Sequence, residues 1–194
     1  GATGFTGRIA VEYLANQYGD TINWAIASRS KDSLEQIAKV QGKGFCDTIV
    51  ADSFDETSLR DMCSRTKVVA STVGPFARYG NALVKICAEI GCDYCDITGE
   101  TGWVRDNIAM YDEIAHKSGA RIVSLCGHDS VPWDLSAMML AKKLKDLNIP
   151  ETLKRIDFYD DIVSEPSGGT LETAMGIMFG DEKNRKACQE TTDL

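Results

Sequence analysis

The sequence predicts an α/β protein built on a doubly wound parallel sheet. Short apolar segments alternate with amphipathic segments of helical length as far as Cys126. This strand–helix–strand rhythm is typical of parallel βαβ units. The chain also opens with three glycines directly before a helical pattern, at Gly1, Gly4 and Gly7. Together these features predict a Rossmann-like sheet, because glycine turns of this kind join its first strand to its first helix.

The glycine turn, GATGFTGRIAVEYL, is the first element in order. Glycines permit a tight turn and let backbone amides approach a pyrophosphate at the start of the helix. The predicted helix places Ile9, Ala10, Tyr13, Leu14 and Tyr18 on one face. A strand is expected upstream of Gly1, so we expect this chain to be a fragment whose first strand is missing. The turn predicts six cofactor-binding residues: Gly1, Thr3, Gly4, Phe5, Thr6 and Gly7.

The following elements alternate regularly. Strands are predicted at 23–28, 45–52, 67–72, 93–97 and 120–126, and helices at 31–40, after 53, after 75 and at 103–119. Ser53 and Glu56 form a capping-box pattern before one helix. Gly91 and Gly119 are expected to end two others. With the upstream strand, the count reaches six strands.

The rhythm changes after residue 127. A long helix is predicted at 131–147, a single long strand at 152–165 and another helix at 167–179. We therefore predict two domains, a dinucleotide-binding domain at 1–127 and the truncated beginning of an α+β substrate or dimerisation domain at 128–194.

Composition restricts the class of partner. The chain has 194 residues, 43% hydrophobic and 26% charged, with a net charge of −8. This charge disfavours nucleic acid and anionic membrane as main partners, because both require a basic surface. Seven cysteines, an odd number without a secretory signature, predict reduced thiols and a cytoplasmic location.

The end of the second predicted strand selects the cofactor. NAD-binding folds usually carry an acidic residue there to bind the ribose 2′-hydroxyl. Ser28 and Arg29 occupy this place instead. A hydroxyl and a guanidinium suit a 2′-phosphate, which arginine can bind with two parallel hydrogen bonds. We predict NADP in preference to NAD, with a solvent-facing Arg29 as the alternative.

Further cofactor contacts are expected at the carboxyl ends of the next strands, where ligands lie in open α/β sheets. Asp52 ends the third predicted strand and is expected near the adenine ring. Thr72, Val73, Gly74 and Pro75 end the fourth. For Gly74-Pro75, ordinary turn chemistry is an equal alternative.

Six sequence blocks together resemble the saccharopine dehydrogenase-like oxidoreductases, a group that includes the trans-acting enoyl reductases. The blocks, in chain order, are GATGFTG, ASRS, STVGPFARYG, CDYCDITGE, CGHDSVPWDL and SGGTLET. The resemblance implies an NAD(P)-binding domain, with 72–76 and 96–100 facing the nicotinamide and 127–134 forming a hinge. The chain departs from the family pattern at His128, where relatives often carry an aromatic residue. It also implies a small-molecule or lipid-like substrate and leaves open a homodimer, and association with a membrane or lipid droplet through parts outside this chain.

Two acidic residues are candidates for proton transfer. Glu100 follows a strand end, and Asp129 lies at the proposed hinge. Both have a structural alternative, because an acidic residue before a helix also serves as a cap. The same alternative is preferred for Ser130.

The leading hypothesis is an NADP-dependent oxidoreductase acting on a C=N, C=C or C=O bond, and the alternative is a non-catalytic NADP sensor. No tyrosine is followed by lysine four residues later, which argues against short-chain dehydrogenases. Cys87, Cys92, Cys95 and Cys126 have a ferredoxin-like spacing. Because two of them fall within a predicted helix and strand, buried thiols are preferred, and no metal site is predicted.

Overall fold

The computed structural model describes residues 1–41, 47–149, 153–161, 165 and 168–179. Its five strands are β1 (Ala25–Ser28), β2 (Asp47–Val50), β3 (Val68–Ser71), β4 (Asp93–Asp96) and β5 (Ile122–Val123). Its eight α-helices are α1 (Phe5–Gln17), α2 (Lys31–Gln41), α3 (Glu56–Ser64), α4 (Phe76–Tyr79), α5 (Asn81–Ile90), α6 (Thr101–Ser118), α7 (Val131–Asp146) and α8 (Gly168–Phe179).

All described strand pairs are parallel. β1 pairs with β2, with Ile26 opposite Thr48, and β3, β4 and β5 form a second sheet in that order. The start of the chain lies between the two sheets, because the Ala2 amide donates to the Ala27 carbonyl and the Thr72 hydroxyl donates to the Gly1 carbonyl. In a doubly wound sheet, strands lie on both sides of a central position. Here β1 and then β2 lie on one side of the chain start, and β3, β4 and β5 lie on the other. The fold class predicted from the sequence is therefore confirmed.

The helices cover the strands through two apolar clusters. One cluster joins α1, β1 and α2 through Val11, Ile26, Leu34 and Ile37. The larger one is built by side chains of α3, α4, α5, β4 and α6, with β2 at its margin. α5 lies at its centre, and its predicted inward residues Leu83, Val84, Cys87 and Ala88 are all buried. Gly91 and Gly119 end α5 and α6 in the left-handed conformation at φ 79° and 84°, as predicted.

The packed face of α1 differs from the prediction. Gly7 and Val11, four residues apart, are its buried residues, whereas Ile9 is 54% exposed and Tyr13 is 56% exposed. The reason is the close approach of Gly7 to the first turn, since a Cβ on Gly7 would lie 2.0 Å from the Gly1 carbonyl oxygen. This contact rotates the helix so that its more apolar stripe does not face the sheet.

Two other predictions are corrected. α3 begins after Asp55, whose carboxylate accepts from the Thr57 amide, so Ser53 is not its cap. The long strand predicted at 152–165 is absent from its described part, 153–161 and residue 165. Since a strand requires a hydrogen-bonded neighbour, an alternating pattern without one does not form a sheet. Residues 45 and 46, at the start of the strand predicted at 45–52, lie outside the described residues.

The helices after residue 127 lie where they were predicted. α7 has no buried residue and carries Leu135, Met138 and Met139 at half exposure or more. Pro132 falls in its first turn, where proline is tolerated because the first amides have no helical partner. In the described part of the chain, none of the helices has the length and apolar character needed to span a bilayer. The boundary at residue 127 stays a prediction.

Candidate functional site

The glycine turn is closed by its own backbone. The Gly4 amide donates to the Gly1 carbonyl at 3.0 Å, and both flanking glycines lie too close to backbone for any side chain. A Cβ on Gly1 would lie 2.5 Å from Thr72 Oγ1, and one on Gly7 would overlap Gly1 itself. Gly4 has more room, with its nearest neighbour at 3.4 Å, and is exposed. The turn therefore requires glycine at 1 and 7 for packing and leaves the backbone at Gly4 open to solvent.

The N-terminus of α1 is not capped by a side chain. Gly4 is the N-cap residue, and the first turn contains no acidic residue. The first helical hydrogen bond runs from the Arg8 amide to the Gly4 carbonyl. The amides of Phe5, Thr6 and Gly7 thus precede the hydrogen-bond ladder, as the first amides of every helix do. With the positive end of the helix dipole, they suit an anion such as a phosphate.

The end of β1 lies beside this turn. Ser28 is buried, and its hydroxyl lies 3.1 Å from Thr3 Oγ1, so the turn and the strand end are joined by a hydrogen bond. Arg29, the next residue, is exposed, and within the described ranges no hydrogen bond or ion pair engages its guanidinium. The described residues at this strand end, Ser28, Arg29 and Ser30, include no acidic side chain for a ribose 2′-hydroxyl.

Asp52 lies in the loop after β2 and stabilises that loop. Its Oδ1 accepts from the Phe54 amide at 2.9 Å, and its own amide donates to Ser58 Oγ at 3.1 Å. The carboxylate is thus partly used in a turn, and its predicted contact with adenine stays a prediction.

The end of β3 contacts the glycine turn. The Thr72 hydroxyl donates to the Gly1 carbonyl at 3.3 Å, and Val73 is the neighbour that a Cβ on Gly1 would also meet. The peptide bond between Gly74 and Pro75 is cis, and α4 starts immediately afterwards. The structure therefore brings together the cofactor residues predicted at the first turn and at the end of β3.

Glu100 makes a contact that its sequence position does not suggest. It occupies the N-cap position of α6, yet its side chain makes no capping bond there. Instead Oε1 accepts from the Phe76 amide at 2.7 Å, and Oε2 accepts from the Ala77 amide at 2.9 Å. The carboxylate therefore binds the N-terminus of α4, a different helix, and connects the segment after β4 to the start of α4.

Asp129 lies at the same end of the sheet. A Cβ on Gly99 would lie 2.8 Å from Asp129 Oδ2, and one on Gly127 would lie 2.6 Å from Oδ1. Its carboxylate thus packs against two glycines, one of them adjacent to Glu100. Asp129 is exposed and, in the part of the chain that is described, forms no side-chain hydrogen bond. Ser130 is the N-cap residue of α7 as predicted, but its side chain makes no capping hydrogen bond.

Sequence reasoning included Asp96 only as part of the block 96–100 and missed its role as the buried residue that organises this edge. It is 2% exposed, and its carboxylate accepts from the Thr98 amide, the Leu125 amide and the Ser124 hydroxyl. Thr98 in turn accepts from the Glu100 amide at 3.0 Å. Asp96 thereby fixes the ends of β4 and β5 and, through Thr98, the backbone of Glu100. Its signal in the sequence was only an acidic residue at a strand end.

Tyr94, two residues earlier, is almost fully buried beneath this edge. Burial, followed by the negative charge of Asp96, raises the pKa of its phenol above the ordinary value. The side chain is therefore a neutral part of the core.

The predicted cofactor fits this end of the sheet. The closed glycine turn, the uncapped start of α1 and the exposed Arg29 beside a buried serine provide the amides and the cation that a pyrophosphate and a 2′-phosphate require. Ser28 and Arg29 lie at the carboxyl end of β1, and the glycine turn lies between the ends of β1 and β3 in space. Open α/β sheets bind their ligands at this edge.

The cysteines do not form the ferredoxin-like set. Cys87 and Cys92 lie beside Cys63 instead, while Cys95 belongs to β4 and Cys126 is exposed. Contacts from Cys63 and Cys87 lower the pKa of Cys92, and contacts with Cys63 and Cys92 raise the pKa of Cys87. The described cysteines are free thiols, and three of the five are buried.

The chain matches one protein family and is similar to several known proteins. Residues 1–123 match the family described as the saccharopine dehydrogenase NADP-binding domain. A trans-acting enoyl reductase of Mycobacterium tuberculosis is 41% identical over 145 residues, which cover 74% of this chain and 34% of the relative. A lipid droplet localized protein of Caenorhabditis elegans is 37% identical over 185 residues, covering 89% of this chain and 42% of the relative.

A solved structure supports the fold. The apo saccharopine dehydrogenase (L-Glu forming) of Saccharomyces cerevisiae matches with a TM-score of 0.59 and 21% identity, over 75% of this chain and 30% of that chain. In each of these comparisons the chain spans less than half of the relative's length. Since the family match covers well over half of the chain, it confirms the predicted resemblance and the preference for NADP. The chain belongs to the saccharopine dehydrogenase NADP-binding domain family.

Proposed function

We propose that this chain is the NADP-binding part of an oxidoreductase that reduces a C=C bond conjugated to an acyl group. The observation that carries the proposal is the closed glycine turn beside an exposed Arg29 and a buried Ser28, at the carboxyl edge of a doubly wound sheet. The choice of bond rests on the relatives named trans-acting enoyl reductase, which are 41% identical over 145 residues.

NADPH, when bound, supplies the hydride. The chain's own residues would bind and orient it. The amides of Phe5, Thr6 and Gly7 suit the pyrophosphate, since they precede the hydrogen-bond ladder of α1. Arg29 and Ser28 suit the 2′-phosphate, and the hydrogen bond between Ser28 and Thr3 holds these two elements together.

The two acidic candidates differ in the hydrogen bonding and exposure of their carboxylates. Both Glu100 side-chain oxygens accept hydrogen bonds from backbone amides of α4, so we assign Glu100 to positioning the start of α4. Asp129 is exposed, lies against Gly99 and Gly127, and has no described side-chain hydrogen bond. We therefore assign proton exchange with the substrate to Asp129, because a carboxylate must be accessible to transfer a proton.

The proposed substrate is lipid-like, since an enoyl group is part of an acyl chain. The proposed compartment is the cytoplasm, with a lipid-droplet surface as the alternative supported by the name of the nematode relative. The proposed homodimer is tested by measurement of mass in solution, where a monomer would contradict it.

The test is to follow the absorbance of NADPH with three substrates, an enoyl thioester, a ketone and an imine. The proposal expects oxidation of NADPH with the enoyl thioester, and at least a tenfold lower rate in Asp129→Asn with unchanged NADPH affinity. Exclusive turnover of the ketone or imine would contradict the bond assignment. Tight NADPH binding with no turnover of any substrate would favour a non-catalytic sensor.

A further inference from the structure

We propose that Cys63, Cys87 and Cys92 form a Zn²⁺ site with three thiolate ligands. The three residues come from different parts of the fold: Cys63 from α3, Cys87 from α5 and Cys92 from the turn before β4. They are 1%, 0% and 3% exposed. Their sulfur atoms all lie within 4.8 Å of one another, and those of Cys63 and Cys87 are 3.7 Å apart.

The spacing of the sulfur atoms matches tetrahedral zinc coordination. A Zn–S bond of about 2.3 Å places two sulfur ligands about 3.8 Å apart at the tetrahedral angle. The Cys63–Cys87 pair already has this separation, at 3.7 Å. The remaining pairs need to close by no more than about 1 Å to complete the same geometry. Side-chain rotation of Cys92 is sufficient for such a change, because it lies in a turn between α5 and β4.

A cleft gives the site access and a place for a fourth ligand. Its lining includes Cys63 and Cys92, together with the polar residues Arg60, Ser64 and Thr66. Among the described residues, no fourth histidine, cysteine or carboxylate joins the group. A water molecule from the cleft would complete the tetrahedron, as it does in zinc sites with three protein ligands.

The charge balance also favours a divalent ion. Binding Zn²⁺ to three thiolates releases the thiol protons and leaves one net negative charge, without any redox change. A monovalent ion would leave two such charges in a largely apolar surrounding, where uncompensated charge is costly. Arg60 lines the cleft and is the nearby cation, although it is also paired with Glu56 and Glu89.

The site is separate from the cofactor site. Cys63 and Cys87 lie in the last turns of their helices, and Cys92 precedes β4. Helices in βαβ units run antiparallel to the strands, so their C-termini lie at the amino edge of the sheet. The glycine turn and Glu100 lie at the opposite, carboxyl edge. A zinc ion here would therefore stabilise α3 against α5 and have no contact with substrate.

The experiment uses the chain with Cys46, Cys95, Cys126 and Cys188 replaced by serine, so that only the three thiols remain. Zn²⁺ alone is titrated anaerobically after reduction, and Co²⁺ serves as its spectroscopic substitute. We expect one ion per chain, thiolate-to-cobalt charge-transfer absorption, and three sulfur ligands at about 2.3 Å in zinc X-ray absorption spectra. We also expect a higher melting temperature, because the ion binds the folded state only.

Two further variants complete the test. Cys92→Ser in the same background should weaken Zn²⁺ binding at least about 100-fold, since loss of even an outer-shell partner costs 10–100-fold. Ser64→Ala, at the cleft but not a ligand, is the matched control and should bind normally. The proposal is overturned if the three-thiol protein binds no Zn²⁺, or if absorption spectra show fewer than three sulfur ligands. The absorption spectrum decides the question even where Cys92→Ser does not fold.

Discussion

Replacing Glu100 by alanine tests whether its carboxylate anchors α4. The substitution removes the acceptors of two backbone amides, at 2.7 Å from Phe76 and 2.9 Å from Ala77. A hydrogen bond to a charged group contributes about 1.5–3 kcal/mol when buried. Because Glu100 is half-buried and the Ala77 amide is exposed, we expect the pair to contribute about 2–3 kcal/mol in total.

The assay is thermal unfolding followed by circular dichroism. For a chain of this size, each kcal/mol corresponds to about 2–4 °C, so Glu100→Ala should lower the melting temperature by about 5–10 °C. Glu100→Gln keeps one acceptor oxygen and should lower the melting temperature by about half as much. Glu113→Ala lies on the exposed face of the same helix and removes an exposed ion pair with Lys117, so it should change the melting temperature by less than about 2 °C. Equal melting temperatures for Glu100→Ala and Glu113→Ala would refute the anchoring role.

Three further substitutions test other parts of the account. Asp96→Ala should cost about 2–4 kcal/mol in urea unfolding, because the amides of Thr98 and Leu125 lose the oxygen that accepts from both of them; an unchanged midpoint would contradict this. Gly91→Ala should cost about 1–2 kcal/mol, since φ is 79° and the new Cβ would lie 2.9 Å from the Ser118 carbonyl oxygen; the same stability would show that the turn can rearrange. Hydrogen bonds from the Arg121 side chain, then from its backbone amide, lower the pKa of Asp93, so its contribution is present above about pH 4 and lost as pH falls through the lowered pKa. Asp93→Asn should therefore lose stability less steeply than wild type below about pH 4, and parallel acid-unfolding curves would exclude this contribution.

Periodicity and caps made most of the fold predictable from sequence. The buried residues of α5 follow a helical spacing, and Gly91 and Gly119 end helices where only a left-handed residue fits. These are local properties, so they are visible along the chain. The glycine turn was predictable for the same reason, because its glycines and its helix are adjacent in sequence.

Contacts between distant residues were not predictable in this way. Glu100 precedes α6 and was expected to cap it or to transfer protons, yet it binds α4 twenty-three and twenty-four residues earlier in the chain. The packed face of α1 depends on how closely Gly7 approaches Gly1, which overrides the apolar stripe of Ile9 and Tyr13. Cys63 joins Cys87 and Cys92 only because α3 packs against α5. The predicted strand at 152–165 failed because its pattern says nothing about a pairing partner.

The most direct test of the cofactor site is a fluorescence titration of NADPH and NADH on wild type, Arg29→Ala and Arg65→Ala. Arg65 pairs with Asp47 and Asp61 away from the glycine turn and serves as the matched control. An arginine–phosphate contact of about 1.5–3 kcal/mol corresponds to about 10–100-fold in affinity. We predict that wild type and Arg65→Ala bind NADPH at least tenfold more tightly than NADH, and that Arg29→Ala loses this preference. Tighter binding of NADH, or an undiminished preference in Arg29→Ala, would contradict the assignment of the 2′-phosphate to the end of β1.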